Sequence, residues 1–155
     1  MFQIVSQSLQ RQAKALSLLF ELLEEEYFSI MERKTETVVA LEFSLQELIR
    51  QIAVEKSCVI RSLAGQRVLA YAESLPEEQA DELRNIFAEV DRGEQRAARQ
   101  ASRNAQLSLA LLDQSTRNLR HLTKQVTPPD AEIYGSQGTM CYKAHPDAAI
   151  ISGRL

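Results

Sequence analysis

Residues 9–30 read LQRQAKALSLLFELLEEEYFSI, and the placing of their apolar residues decides the fold class. Leu9, Ala13, Leu16, Phe20, Leu23, Tyr27 and Ile30 recur at steps of four and three, the period of a coiled-coil seam and not the alternation of a strand. Leu19, Leu22 and Met31 widen the stripe, so this helix is expected to bury against more than one neighbour. The seam resumes at Val38, Leu41, Leu45, Leu48 and Ile52 and continues through Val59 and Leu63. Between Ile30 and Val38 its phase slips by one residue. Thr35, Thr37, Val38 and Val39 also form a β-branched cluster that weakens helix locally. A helix–helix turn is placed there; one unbroken helix through both seams is the competing reading, because no Gly or Pro marks the spot.

Further along, Gly65 follows Leu63-Ala64 and is read as a left-handed C-cap. A short helical piece over residues 66–73 leads to Ser74-Leu75-Pro76-Glu77, which carries helix-start chemistry. Ser is the expected N-cap, Pro lies in the first turn, and Glu stands three residues after the cap. The third long helix meets no further proline until Pro128. Its seam runs Leu83, Phe87, Val90, Ala97, Ala101, Asn104, Ser108 and Leu111, with Leu112, Leu119, Leu122 and Val126 toward the end. Gly93 costs about 1 kcal/mol there against Ala, so a bend near it is expected. Ala97, Ala98, Ala101 and Ala105 are read as allowing close helix approach, and Asn104 as a lone polar residue that fixes register at a cost in stability.

The expected architecture is therefore all-α: an antiparallel coiled-coil-like hairpin plus one long third helix, a three- to four-helix bundle over residues 1–126, with a flexible C-terminal tail over 127–155. Composition agrees. The chain has 155 residues, 45% of them hydrophobic, and a formal charge of -3, which suits one domain with a real core. Residues 1–126 hold two Gly and one Pro against three of each in residues 127–155, too few for the frequent turns of a β-sandwich. Nothing at the start reads as a signal peptide, no run reaches the roughly 20 apolar residues of a membrane span, and the two distant cysteines read as reduced thiols. A cytoplasmic protein is expected.

Lengths make the third helix unusual. At about 1.5 Å per residue the first two helices are each roughly 40–45 Å long, while residues 74–126 span about 80 Å. A hairpin cannot cover all of that. The terminal leucines must fold back, pair with a second copy, or take a partner in helix-in-groove fashion; core and binding surface stay open as readings. Charge is segregated along the same helix, with net -6 over residues 73–91 and net +5 over residues 92–124.

The search for chemistry returns nothing catalytic. A di-metal bundle needs Glu-x-x-His pairs, yet Asn118 and Tyr142 stand three before His121 and His145, so no metal or other cofactor is expected. Glu24-Glu25-Glu26 is read as a solvated face. Cys58 is read as a small core side chain. His121 suits a helix C-terminus. No glycine-rich phosphate loop or nucleophile elbow exists. Arg92, Arg96, Arg99 and Arg103 share one helix face, read first as balanced by acidic residues of a neighbouring helix and second as a surface for an acidic protein partner. Nucleic acid is not expected, because the sequence pI is near 5.5 and the stretch lacks stacking aromatics.

The tail begins at Pro128-Pro129, which end the helix, and includes Tyr134-Gly135-Ser136-Gln137-Gly138. The coiled hairpin, the Gly-ended second helix, the Ser-Leu-Pro-Glu-Glu start, Asn104 with Leu107, and this Tyr-Gly-x-x-Gly tail together resemble the FlgN family of flagellar export chaperones. The resemblance covers nearly the whole chain. It implies a cytosolic chaperone for the hook–filament junction proteins FlgK and FlgL, which would hold their aggregation-prone terminal helices and bring them to the export gate. By analogy, the end of the third helix (Leu111, Leu112, Leu119, Leu122 and Val126) would bind the substrate. Tyr134, Gly135 and Gly138 would match the segment that docks on the export gate protein FlhA. The alternative is a structural coiled-coil protein that self-associates, as a homo-oligomer, through the same leucine stripe.

Overall fold

The computed structural model describes residues 1–126. Four helices make up this part: α1 (Phe2–Met31), α2 (Thr35–Ser62), the single turn α3 (Val68–Ala72) and the 50-residue α4 (Glu77–Val126). The protein is all-α, as its periodicity requires. The chain divides into two units, Met1–Leu109 and Ala110–Leu155. The first is a three-helix bundle; the described part of the second, residues 110–126, is the remainder of α4. Among the described residues no helix is long and apolar enough to cross a membrane.

The turn between α1 and α2 is tighter, and earlier, than the β-branched cluster suggests. Thr35, Thr37, Val38 and Val39 all lie inside α2, and Glu32-Arg33-Lys34 reverse the chain. Arg33 adopts φ 58, the left-handed region. The Lys34 N–H reaches the Ser29 carbonyl at 2.9 Å and the Arg33 N–H reaches Ile30 at 3.1 Å, a Schellman cap. The same device ends α2. There Ala64, with φ 49, takes the left-handed cap position assigned above to Gly65. The Gly65 N–H bonds to Ile60 and the Ala64 N–H to Arg61, while Gly65 itself follows at φ 85. Neither cap residue is a glycine, which is why the sequence conceals both.

At the start of α4 the expected Ser74 cap is not made. Its hydroxyl donates back to the Tyr71 carbonyl at 2.7 Å, which also accepts the Ser74 backbone N–H at 3.1 Å. The Pro76 carbonyl instead accepts the first α4 bond, from Ala80 at 2.9 Å. Glu77 and Glu78 occupy the first turn, where the positive end of the helix dipole favours them.

Contacts fix the directions of the helices. Arg11 of α1 pairs with Glu55 of α2 at 2.6 Å, and Glu26 of α1 lies beside Glu42 of α2, so α1 and α2 are antiparallel. Ser6 donates to Glu82, Gly93 abuts Leu16, Arg96 lies 4.3 Å over the Phe20 ring, and Asn104 bonds to Leu23. Both members of these pairs rise together, so α4 returns parallel to α1. Lys56 and Glu94, 3.3 Å apart, tie α2 to α4.

The core gathers Val5, Leu9, Leu16, Leu19 and Leu23 of α1 with Leu45, Leu48 and Val59 of α2, Leu63 at its C-terminal cap, Ala72 of α3, and Leu83, Val90 and Ala97 of α4. On α1 the deepest stripe is Val5, Leu9, Gln12, Leu16, Leu19, Leu23 and Glu26, while Ala13, Phe20 and Tyr27 are half-buried. The stripe thus includes two polar residues. Cys58, expected in the core, is half-buried. Of Ala97, Ala98, Ala101 and Ala105 only Ala97 is buried; close approach occurs at Gly93, where no break in α4 is seen.

Candidate functional site

Two features of α4 stand out: a buried polar cluster near Asn104 and an exposed apolar face beyond it. Asn104 is 4% exposed and is held on every side. Its Nδ2 donates to the Leu23 carbonyl at 2.7 Å and to Glu26 Oε2 at 2.6 Å, and its Oδ1 accepts from Gln100 Nε2 at 3.0 Å. Such a network has one good register, because sliding α4 by a turn would orphan several buried groups at once.

Glu26, read from the sequence as part of a solvated face, is 6% exposed; Glu24 and Glu25 do face solvent. Burial pushes the Glu26 carboxyl above its ordinary range, the Asn104 amide opposes that shift, and the Glu42 carboxyl adds to it. The missed signal was the stripe Leu9, Gln12, Leu16, Leu19, Leu23, Glu26, also spaced in threes and fours, which was passed over because two of its members are polar.

Past Asn104 the helix faces solvent. Leu109, Leu112, Leu119 and Leu122 are 65%, 64%, 63% and 57% exposed, and Leu111 is half-buried. Leu112 and Leu119 lie two turns apart on one face, with Leu122 a turn further on. Val126 closes the helix. Thr116 and Thr123 donate to the Leu112 and Leu119 carbonyls at 2.9 Å, and Arg117 pairs with Asp113 at 2.6 Å; these contacts are all within the helix. The result is a row of aliphatic side chains on a polar helix, with no chemistry beyond burial to offer. Among the described residues no group of three or more His, Cys, Asp or Glu is placed to hold a metal ion. Tyr134, Gly135 and Gly138 lie outside the described residues.

Arg92, Arg96, Arg99 and Arg103 are exposed, and the neighbouring acidic partners expected for them are not there. Arg96 stacks on Phe20 and Arg92 Nε donates to the Ala88 carbonyl at 3.2 Å. None of the four forms an ion pair with a described residue.

Comparison with known proteins gives a single result. A family model described as FlgN protein matches residues 1–141. No curated protein and no solved structure matches the chain. The matched span takes in the whole hairpin, all of α4 and the Tyr134–Gly138 segment, so the chain belongs to the FlgN family of flagellar export chaperones.

Proposed function

We propose that this chaperone binds the terminal helices of the junction proteins FlgK and FlgL on the face formed by Leu111, Leu112, Leu119, Leu122 and Val126, and carries them through the cytoplasm to FlhA. The observation that supports this reading is the exposure of Leu112, Leu119 and Leu122 on a folded chain. Three large exposed aliphatic residues in one short helical stretch are more than a scattered surface apolar content, and they match the anchor spacing of helix-in-groove recognition. A cargo helix laid along them would bury apolar area at about 25 cal/mol per Å². Release then needs only a competitor, with no covalent step. On this reading residues 1–126 act as the chaperone body and 127–155 as a tail whose Tyr134, Gly135 and Gly138 contact the gate.

The test is binding of a FlgK or FlgL terminal-helix peptide, followed by light scattering. A 1:1 complex is expected for the parent chain and none for Leu112→Asp/Leu119→Asp/Leu122→Asp. Equal binding by parent and triple variant sinks the groove assignment. A parent oligomer that the triple variant dissociates without any peptide would favour a self-associating coiled-coil protein instead. For the tail, Tyr134→Ala is expected to weaken FlhA binding and spare the peptide complex; loss of both would assign Tyr134 to the cargo site.

A further inference from the structure

The outward face of α4 within the bundle unit carries a pattern that neither the core nor the leucine face uses. Glu78, Glu82, Asn85, Glu89, Arg92, Arg96, Arg99 and Arg103 follow one another at steps of four and three and are all exposed. A row with that spacing forms one continuous stripe along a helix. Its first half is acidic and its second half basic, with the change of sign between Glu89 and Arg92. None of the eight is in an ion pair with a described residue. Their contacts are modest: Ser6 donates to Glu82 at 3.3 Å, Arg92 bonds to its own helix backbone, and Arg96 is held over Phe20.

We infer that this stripe is a self-complementary docking surface, on which a second copy of the chain lays its α4 antiparallel to the first. Antiparallel alignment sets Glu78 opposite Arg103 of the second copy, Glu82 opposite Arg99, Asn85 opposite Arg96 and Glu89 opposite Arg92. Two-fold symmetry then repeats each pairing, so every charge on the row meets its opposite except Arg96, which meets the neutral amide of Asn85. Parallel alignment puts like charges together and is rejected by the same row. The stripe is charged along its length, so the association it supports is weak and specific.

The decisive dependence is on salt, since exposed charges act over about 30 Å at 0.01 M salt and only about 3 Å at 1 M. Sedimentation equilibrium of the full chain is expected to show a dimer at the lower concentration and a monomer at the higher. Arg99→Glu/Arg103→Glu should weaken association at least about tenfold at low salt. Adding Glu78→Arg and Glu82→Arg to that variant should restore it, because the pairs are then reversed on both strands. A parent monomer at low salt overturns the proposal. So does a double variant that dimerises like the parent, or a four-fold variant that stays monomeric. This stripe is separate from the proposed cargo face: Leu112→Asp/Leu119→Asp/Leu122→Asp should leave the low-salt dimer intact, and its loss there would move the interface to the leucines.

Discussion

A Cβ on Gly93 would lie 3.1 Å from the Cβ of Leu16, so α1 and α4 approach so closely at this level that any other residue at position 93 requires them to give by a few tenths of an ångström. The atom it would meet is fixed to the α1 backbone and cannot swing aside. Gly93→Ala therefore gains about 1 kcal/mol of helix propensity but forces the helices apart at a cost of about 1–3 kcal/mol. A net loss near 1 kcal/mol is expected in urea unfolding. A more stable variant would show that the helices part without cost.

The two non-glycine caps give the opposite sign. Ala64 and Arg33 hold positive φ values of 49 and 58, which strain an L residue by about 1–2 kcal/mol. Ala64→Gly should raise stability by about 1 kcal/mol, after allowance for the extra freedom glycine brings to the unfolded chain. Gly65→Ala, placed at φ 85 in open space, should lower it by a similar amount. Thermal unfolding of the two variants checks both; shifts in the same direction would contradict the cap geometry.

Asn104 should be intolerant of substitution. Asn104→Leu leaves the Leu23 carbonyl and Gln100 without their partner and is expected to cost about 2–3 kcal/mol. Asn104→Asp also places a carboxylate beside Glu26 and should cost about 3 kcal/mol or more at neutral pH. Parent-like stability of Asn104→Leu in chemical denaturation would mean the network adds nothing.

Stability should also fall as pH rises above the ordinary carboxylate range. Burial holds the Glu26 carboxyl above the ordinary carboxylate range. A group with a raised folded pKa stabilises fully below its unfolded value, and that contribution is lost as pH climbs through the folded one. Glu26→Gln keeps an acceptor for Asn104, removes the buried charge, and should be more stable than the parent near pH 7. The downward slope above 4.5 should flatten with it. Glu47 and Glu55 act in the other direction. The Arg50 hydrogen bond lowers Glu47 to about 2, and the Arg11 bond lowers Glu55, so their contributions disappear on acidification below 4.5 in parent and variant alike. An unchanged profile in Glu26→Gln would place the pH dependence elsewhere.

The fold was legible because apolar spacing in threes and fours survives in every long helix, from Leu9 to Leu23, from Leu41 to Leu63 and from Leu83 to Ala97. What stayed hidden depends on three-dimensional company. Gln12 and Glu26 look like surface residues until α2 and α4 close over them. Arg33 and Ala64 carry no local sign of a left-handed backbone, since those conformations are imposed by helices that must end there. Gly93 reads as a weak point in one helix and is a contact between two. For the candidate site, the leucines of α4 were visible as a stripe, whereas their exposure is a property of the folded chain. The pairing of the arginine row could not be judged from one strand of sequence either, because the absence of acidic neighbours is a property of the packed bundle.

The described helix beyond Leu109 has a thermodynamic consequence of its own. The hydrogen bonds from Thr116 and Thr123 and the ion pair of Arg117 run along the helix, to residues within one turn. A helical stretch of about 15 residues that lacks tertiary support sits close to the helix–coil midpoint in water. Any protein that covers Leu112, Leu119 and Leu122 would therefore also shift a local folding equilibrium, and part of the contact energy would go into ordering backbone. Grip becomes a quantity set by intrinsic helicity: an alanine placed at Ser115 should tighten a complex without touching the ligand, and a glycine there should loosen it.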